Sequence, residues 1–208
     1  MGLDIYAMSK AVKVPCRWTN ATDEEVEQCE NLHTTVGAVY RRRDTIKTGC
    51  YVRAKGGRQF DFEAGTGAGY SAWLDDLSPF ALGDAAEEVW DYPRRYQTKP
   101  FFELINHPDS SGFAIGPVIS AKLFKDFAAF SARAKKHYFE PAVSSKPAAT
   151  ARKKPHRNNA GAAGAAMVAA ALGAKLAASP DNRWMWETYQ GFERAFKLAS
   201  DDGFVLFC

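Results

Sequence analysis

The stretch Gln59-Phe-Asp-Phe-Glu-Ala-Gly-Thr-Gly-Ala-Gly-Tyr-Ser-Ala-Trp73 reads as a strand, a turn and the start of a helix in succession. Its first half alternates apolar residues with acidic ones, which predicts a strand with one buried and one solvated face. Glycines follow, and large apolar residues then recur at helical spacing up to Gly83; they are Trp73, Leu74, Leu77 and Phe80. A tight junction between strand and helix is therefore expected at Gly65–Ser71.

Upstream of this stretch the pattern predicts further strands. Alternation from Leu3 to Met8 and the short apolar run Ala11–Val14 each read as a strand. Gly49–Ala54 reads as another, and the segment Lys55-Gly56-Gly57 predicts a hairpin that joins it to the strand Gln59–Ala64. Thr22, followed by three acidic residues, predicts the start of a helix.

Downstream, Pro100–Asn106 reads as the clearest strand and residues 107–112 as a polar turn. Gly116-Pro117 predicts the start of an amphipathic helix with an apolar stripe formed by Ile119, Leu123, Phe127, Phe130, Ala134 and Tyr138. A second amphipathic helix is expected over residues 182–200, followed by a terminal strand over 204–207. This order of elements predicts an α+β fold, a single domain with a mixed or antiparallel sheet and three to four packed helices.

The composition is that of a folded protein with little overall charge. The chain has 208 residues, 46% of them hydrophobic and 13% aromatic, so one domain over residues 1–208 can bury a sizeable core. Lysine and arginine number 27 against 24 acidic residues, and a net charge of +3 gives no general electrostatic argument for binding nucleic acid or membrane. Residues 140–180 are rich in alanine, proline and lysine, which predicts a mobile insert.

The start of the chain lacks the pattern of a secretion signal, so we expect a cytoplasmic protein. The 4 cysteines do not have the spacing of a metal site, and in a reducing compartment they are expected to be free thiols. No metal and no cofactor is predicted.

Two polar loops are the candidate site. The glycine-rich junction could cradle an anion with backbone N–H groups at a helix start, and it is equally a tight turn; its candidate ligand-binding residues are Gly65, Thr66, Gly67, Gly69, Tyr70 and Ser71. In the second loop His107 and Asp109 are the candidate catalytic acid and base, with Ser110 beside them, although the same residues make an ordinary turn. If both loops follow neighbouring strands that run in the same direction, they meet in one polar cleft.

Two runs of the sequence resemble a group of small uncharacterised bacterial and phage-borne proteins. The first is Phe62–Trp73, in which an aromatic strand leads into a small-residue turn, Gly-Tyr and a helix containing tryptophan. The second begins at Pro100 and continues to Phe127, and residues 204–207 also fit. The resemblance implies an ordered core and a prophage origin, and it implies no activity.

Three functions remain open from the sequence. The first is a binding protein for a small polar or anionic, phosphate-bearing ligand, as a phage or prophage accessory factor. The second is a hydrolase or transferase that uses His107 and Asp109. The third is a structural or protein-interaction module that forms a homo-oligomer through the aromatic helix face at residues 184–196.

Overall fold

The structure, a computed structural model, describes residues 2–15, 34–36, 38–39, 44–106, 113–139 and 183–208. The helix predicted to start at Thr22 and the insert predicted over residues 140–180 both lie outside the described residues. The chain divides into two compact units, one formed by residues 1–131 and 187–208 and the other by residues 132–186.

Within the described residues, six strands come first along the chain, four helices follow, and the last two α-helices lie between the last two strands. The strands are β1 (Gly2–Met8), β2 (Ala11–Val14), β3 (Thr34–Val36), β4 (Ala38–Val39), β5 (Gly49–Arg53), β6 (Gln59–Thr66), β7 (Phe113–Ile115) and β8 (Phe204–Phe207). The helices are α1 (Gly67–Leu82), α2 (Ala86–Asp91), α3 (Pro93–Tyr96), α4 (Phe102–Ile105), α5 (Pro117–Ala134) and α6 (Arg183–Ala199), with a π-helical stretch at Lys135–Phe139.

The larger sheet has the strand order β4-β7-β8-β1-β6. β4 and β7 are parallel, whereas β7, β8, β1 and β6 are antiparallel to their neighbours. A smaller sheet has the order β2-β5-β3 with antiparallel pairs. The predicted α+β fold with a mixed sheet is thus confirmed.

The first two strands and the fifth and sixth form one bent, two-stranded ribbon. β1 pairs with β6, and β2, which follows after Ser9 and Lys10, pairs with β5. The hairpin predicted between β5 and β6 is therefore wrong, because residues 54–58 bend the ribbon instead of reversing it. At this bend Gly57 has no room for a side chain, since an added Cβ would lie 2.7 Å from the carbonyl oxygen of Ser9.

An aromatic core fills one face of the larger sheet in the first unit. Phe62 of β6 meets Phe192 of α6 edge-on at 5.1 Å between ring centroids, and Phe207 of β8 stacks on Phe192 at 6.0 Å. Gly191 lets α6 approach the sheet this closely, because an added Cβ would be 2.6 Å from the Phe62 ring. Tyr189 extends the core, and its hydroxyl donates to the carbonyl of Phe127 in α5 at 2.6 Å.

The opposite face of the sheet is covered by the smaller sheet. Tyr51 of β5 packs on Phe204 of β8 with 5.5 Å between ring centroids. Met8, Ala114 and Leu206 belong to the same buried cluster. The ribbon bend is what carries β5 over this face.

The start of α5 is held by a residue far away in the sequence. Asp44 Oδ1 accepts a hydrogen bond from the backbone N–H of Val118, 74 residues later, at 3.3 Å, and from its neighbour Thr45 at 2.9 Å. The carboxylate satisfies orphan N–H groups at a helix start. Burial raises the pKa of Asp44, and the backbone hydrogen bonds oppose that rise.

The cysteines depart from the expected free thiols. Cys50 in β5 is 1% exposed and disulfide-bonded, and its partner lies outside the described residues. Cys208 is a free, exposed thiol, as expected. The expectation of free thiols is therefore wrong for Cys50, since cysteines far apart in sequence show no pairing signal in their spacing.

The second unit contributes little to what the structure describes. Its described residues are 132–139 and 183–186, which include the π-helical stretch. Within that stretch the rings of His137 and Tyr138 are in contact at 4.7 Å between centroids. In neither unit does the described part of the chain contain a helix of sufficient length and apolarity to cross a bilayer.

Candidate functional site

The glycine-rich junction is a capped helix start, as the strand-turn-helix pattern predicts. Thr66 is the N-cap of α1, and its side-chain oxygen accepts a hydrogen bond from the N–H of Gly69 at 3.1 Å. Gly65 has a φ of +93°, which favours glycine, and lies where β6 shifts register against β1. An added Cβ at Gly65 or Gly67 would meet nothing within 4 Å, so the turn borders open space.

The side chains after this turn divide between core and surface. Tyr70 is 2% exposed and packs against Trp73 and Phe192 with ring-centroid distances of 6.0 and 5.8 Å. Its ring belongs to the core and is not presented to the open side of the turn. Ser71 is exposed. Anion binding at Gly65, Thr66, Gly67 and Gly69 stays a prediction, because Thr66 already satisfies one of the N–H groups.

The second loop does not follow a strand. The strand predicted over Pro100–Asn106 is wrong, since residues 102–105 form the short helix α4 and Phe101 has a left-handed φ of +55°. The condition for one shared polar cleft, that both loops follow neighbouring strands, is therefore not met. His107, Asp109 and Ser110 lie outside the described residues, so their catalytic and binding roles stay predictions.

A charged cluster explains why residues 100–106 do not form an extended strand. The Lys122 ammonium group in α5 donates to Glu103 Oε2 at 2.6 Å, to Asp126 Oδ2 at 3.1 Å and to the carbonyl of Lys99 at 3.0 Å. Asp126 also accepts from the backbone N–H of Phe101 at 3.0 Å. Glu103 is 8% exposed, so its contact with Lys122 is largely shielded from water. We call these contacts the Lys122 clamp.

A cleft opens where α2 meets α3. Its volume is about 550 Å³, and its described lining consists of Glu88, Asp91, Tyr92, Pro93, Arg94 and Arg95. Pro93 occupies the first turn of α3 and separates the two helices there. Tyr92 is 58% exposed, so an aromatic surface is presented at this cleft.

One wall of the cleft is fixed by an ionic network. Arg95 lies 3.5 Å from Glu88 and 3.9 Å from Asp84. The hydroxyl of Tyr96 donates to Asp84 at 2.7 Å, and burial together with this contact raises the pKa of Tyr96. Arg94 forms no ion pair with any residue of the described ranges, and its exposed guanidinium remains available to a ligand.

Trp90 connects α2 to the end of α4, just before the predicted loop at residues 107–112. Its indole N–H donates to the carbonyl of Ile105 at 2.8 Å, while 47% of the residue stays exposed. The hydrogen bond fixes the ring at the end of α4, directly before the residues that carry the candidate catalytic groups. Exposed aromatic surface held in one orientation is typical of a binding surface.

Comparison of the chain with family models, curated proteins and solved structures finds no match. The resemblance to bacterial and phage-borne proteins, and with it a prophage origin, stays a prediction. Within the described ranges, His, Cys, Asp and Glu side chains do not gather into a group that could hold a metal ion. What this protein does must therefore be argued from its surface.

The cleft was not predicted from the sequence. Its signal is the run Trp90-Asp-Tyr-Pro-Arg-Arg95, in which aromatic and charged residues alternate around a proline. Such a run has no strand or helix periodicity, so its pattern predicts neither a regular element nor a site. A proline between two exposed aromatics and two arginines is the feature that could have identified it.

The aromatic stripe of α6 is part of the core. Tyr189, Phe192 and Phe196 are each 0% exposed and pack within the first unit. These side chains cannot form the oligomer contact that the sequence suggested for residues 184–196, because the protomer already buries them. The homo-oligomer itself stays a prediction.

Proposed function

We propose that this protein binds a small ligand with a planar body and an anionic group in the cleft between α2 and α3. The observation that carries the proposal is the unpaired guanidinium of Arg94 beside the exposed ring of Tyr92. A volume of about 550 Å³ lies in the range of small-molecule sites. This is the anion-binding function expected from the sequence, assigned to a different part of the surface.

Each lining group has a chemical role in this proposal. Arg94 binds a carboxylate or phosphate, because a guanidinium offers two parallel N–H donors to such a group. Tyr92 stacks on the planar body of the ligand. Asp91, exposed and in no described ion pair, accepts from a donor on the same ligand. Glu88 and Arg95 neutralise each other and shape the wall.

Adenosine monophosphate and adenosine are the probes that test this function, because they differ in the anionic group alone. We expect calorimetry and native mass spectrometry to show binding of the monophosphate and much weaker binding of the nucleoside. Arg94→Ala should weaken binding of the monophosphate at least tenfold, since a lost charged hydrogen bond costs about 1.5–3 kcal/mol.

Arg194→Ala is the matched control, because Arg194 is an exposed arginine of α6 outside the cleft. Its affinity for the monophosphate should equal that of the wild type. The proposal is refuted if the monophosphate does not bind, or if both variants weaken its binding equally.

A cytoplasmic location remains part of the proposal, and the disulfide at Cys50 is the observation that opposes it. Stable disulfides are rare in reducing compartments. Cells that produce the protein naturally are quenched with acid, the thiols are alkylated under denaturing conditions that expose buried residues, and mass analysis decides between the two. Alkylated Cys50 supports the cytoplasm, whereas protected Cys50 with alkylated Cys208 indicates an oxidising compartment.

A further inference from the structure

Basic side chains surround the bend of the β1–β2 and β5–β6 ribbon. They are the exposed residues Lys10, Arg53, Lys55 and Arg58, which we call the basic bend. Within the described ranges none of these side chains forms an ion pair with a carboxylate. Asp201 and Asp202 border it through backbone contacts, which leaves cations in excess.

The bend is rigidly held. The N–H of Ser9 donates to the carbonyl of Arg58, and the N–H of Arg58 donates back to the Ser9 hydroxyl, both at 2.9 Å. The N–H of Ala54 donates to the carbonyl of Lys10 at 2.9 Å. Lys10 itself has a left-handed φ of +52°. The cations are therefore mounted on fixed backbone, so less entropy is lost when they bind a partner.

The side chains converge on the two glycines of the bend. A Cβ added at Gly56 would be 3.8 Å from the ammonium nitrogen of Lys10, and one at Gly57 would be 2.7 Å from Cγ of Arg53. Both side chains thus lie against the glycine pair, between Lys55 and Arg58. Gly56, exposed and with a φ of +77°, leaves the backbone open to a bulky anion.

We propose that the basic bend binds the phosphate backbone of nucleic acid without sequence preference. Cations that lack a carboxylate partner and are mounted on a fixed bend match the repeated phosphates of a nucleic-acid strand, because phosphate contacts depend on charge and spacing and not on base identity. A lipid surface is the weaker match, because the large exposed hydrophobic residues include Val12 but none within the turn at residues 54–58. The overall charge of +3 conceals this local excess.

The test is fluorescence anisotropy with a labelled random duplex of about 20 base pairs, titrated between about 50 and 200 mM salt. We expect the wild type to bind with a Kd of roughly 10⁻⁶–10⁻⁴ M at physiological salt and more tightly at low salt. The variant Lys10→Gln/Lys55→Gln/Arg58→Gln should bind at least tenfold more weakly. Its dependence of log K on log salt should be flatter by about 2–3, because each lost phosphate contact removes about 0.9.

The control variant removes the same charge elsewhere in the first unit. Lys99, Lys125 and Lys197 are exposed, and their replacement by glutamine should leave duplex binding within about twofold of the wild type. Equal melting temperatures of the two triple variants confirm that folding is preserved. Arg94→Ala should not change duplex binding, which keeps this result separate from that of the cleft.

The proposal is overturned if the wild type does not bind the duplex at low salt. It is also overturned if both triple variants weaken binding equally, since that result would reflect net charge alone. Vesicles of phosphatidylcholine with phosphatidylserine provide the third arm. Binding to these vesicles that depends on the basic bend, without duplex binding, would assign the surface to membranes instead.

Discussion

Replacing Lys122 with methionine tests whether the Lys122 clamp holds α4 against α5. Methionine keeps an unbranched side chain of similar length and removes the ammonium group that donates to Glu103, Asp126 and the Lys99 carbonyl. Glu103, with a side chain 10% exposed, would then keep its charge without a cation. The change isolates the electrostatic part of the contact, because most of the packing surface is retained.

The expected loss of stability follows from the burial of the clamp. Removing one partner of a fully buried ion pair costs about 3–5 kcal/mol. The Lys122 side chain is 34% exposed and that of Asp126 is 17% exposed, so water can partly hydrate the carboxylates after the change. We therefore expect a loss of about 2–3 kcal/mol in the free energy of unfolding, or about 4–12 °C in melting temperature.

Urea denaturation, followed by tryptophan fluorescence and far-UV circular dichroism, measures the loss. Lys125→Met is the matched control, because Lys125 is exposed on the same helix; it should change stability by less than about 0.5 kcal/mol. Glu103→Leu added to Lys122→Met should recover at least about 1 kcal/mol, since it removes the stranded charge. If Lys122→Met is as stable as Lys125→Met, the clamp does not stabilise the fold and the reasoning fails.

Three further predictions concern the helix cap at Asp44, two glycines and the Cys50 disulfide. Burial raises the pKa of Asp44, so the folded state binds the carboxyl proton more tightly than the unfolded state. Protonation of Asp44 therefore stabilises the folded protein below about pH 4, and this contribution to the free energy of unfolding is lost as the pH rises. Urea unfolding across that range should show the wild type losing stability relative to Asp44→Asn, and parallel curves would contradict this. Gly116→Ala should destabilise the protein by about 1–3 kcal/mol, because the added methyl group would lie 2.6 Å from the carboxyl carbon of Asp44. Gly67→Ala should stabilise it by about 0.4–1 kcal/mol, because the added methyl group would meet nothing within 4 Å. The melting temperatures of the two variants and the wild type test both predictions. Reduction of the Cys50 disulfide should lower stability by about 2–4 kcal/mol, and Cys208→Ser, which removes a free thiol, should leave that shift in melting temperature unchanged.

The elements with a long or regular pattern were predictable from the sequence. α1 ends before Gly83 as expected, and α6 covers Arg183–Ala199 against a prediction of 182–200. β6 alternates as predicted, with Asp61 and Glu63 exposed, Phe60 and Phe62 half-buried and Ala64 buried. Periodicity over many residues indicates which face of a helix or strand is buried, even when the element that packs against that face is unknown.

Pairing partners and short segments were not predictable in this way. Pro100–Asn106 is an apolar run of a length that fits either a strand or a short helix, and the contacts from Lys122 and Asp126 decide for the helix. The predicted hairpin was wrong for a related reason. Alternation of apolar and polar residues identifies β5 and β6 as strands, but it does not show which strands pair with them. Both outcomes depend on residues distant in the sequence.

The candidate sites were also predictable only where they depend on local sequence. The glycine-rich turn was predictable because glycine at positive φ is a local requirement, met here by Gly65. The cleft at α2 and α3 and the basic bend depend on which charges remain unpaired after folding. Composition could not reveal them, because acidic and basic residues nearly balance over the chain.

The position of β8 has a consequence for how the chain reaches its native state. β8 follows every other strand of the larger sheet in sequence, yet it lies between β7 and β1. Until it is inserted, β1 and β7 each expose an unpaired backbone edge, and such edges are prone to intermolecular association. During synthesis the nascent chain must therefore keep a gap open in its sheet, which predicts late cooperative closure and a dependence of soluble yield on chaperones or low temperature.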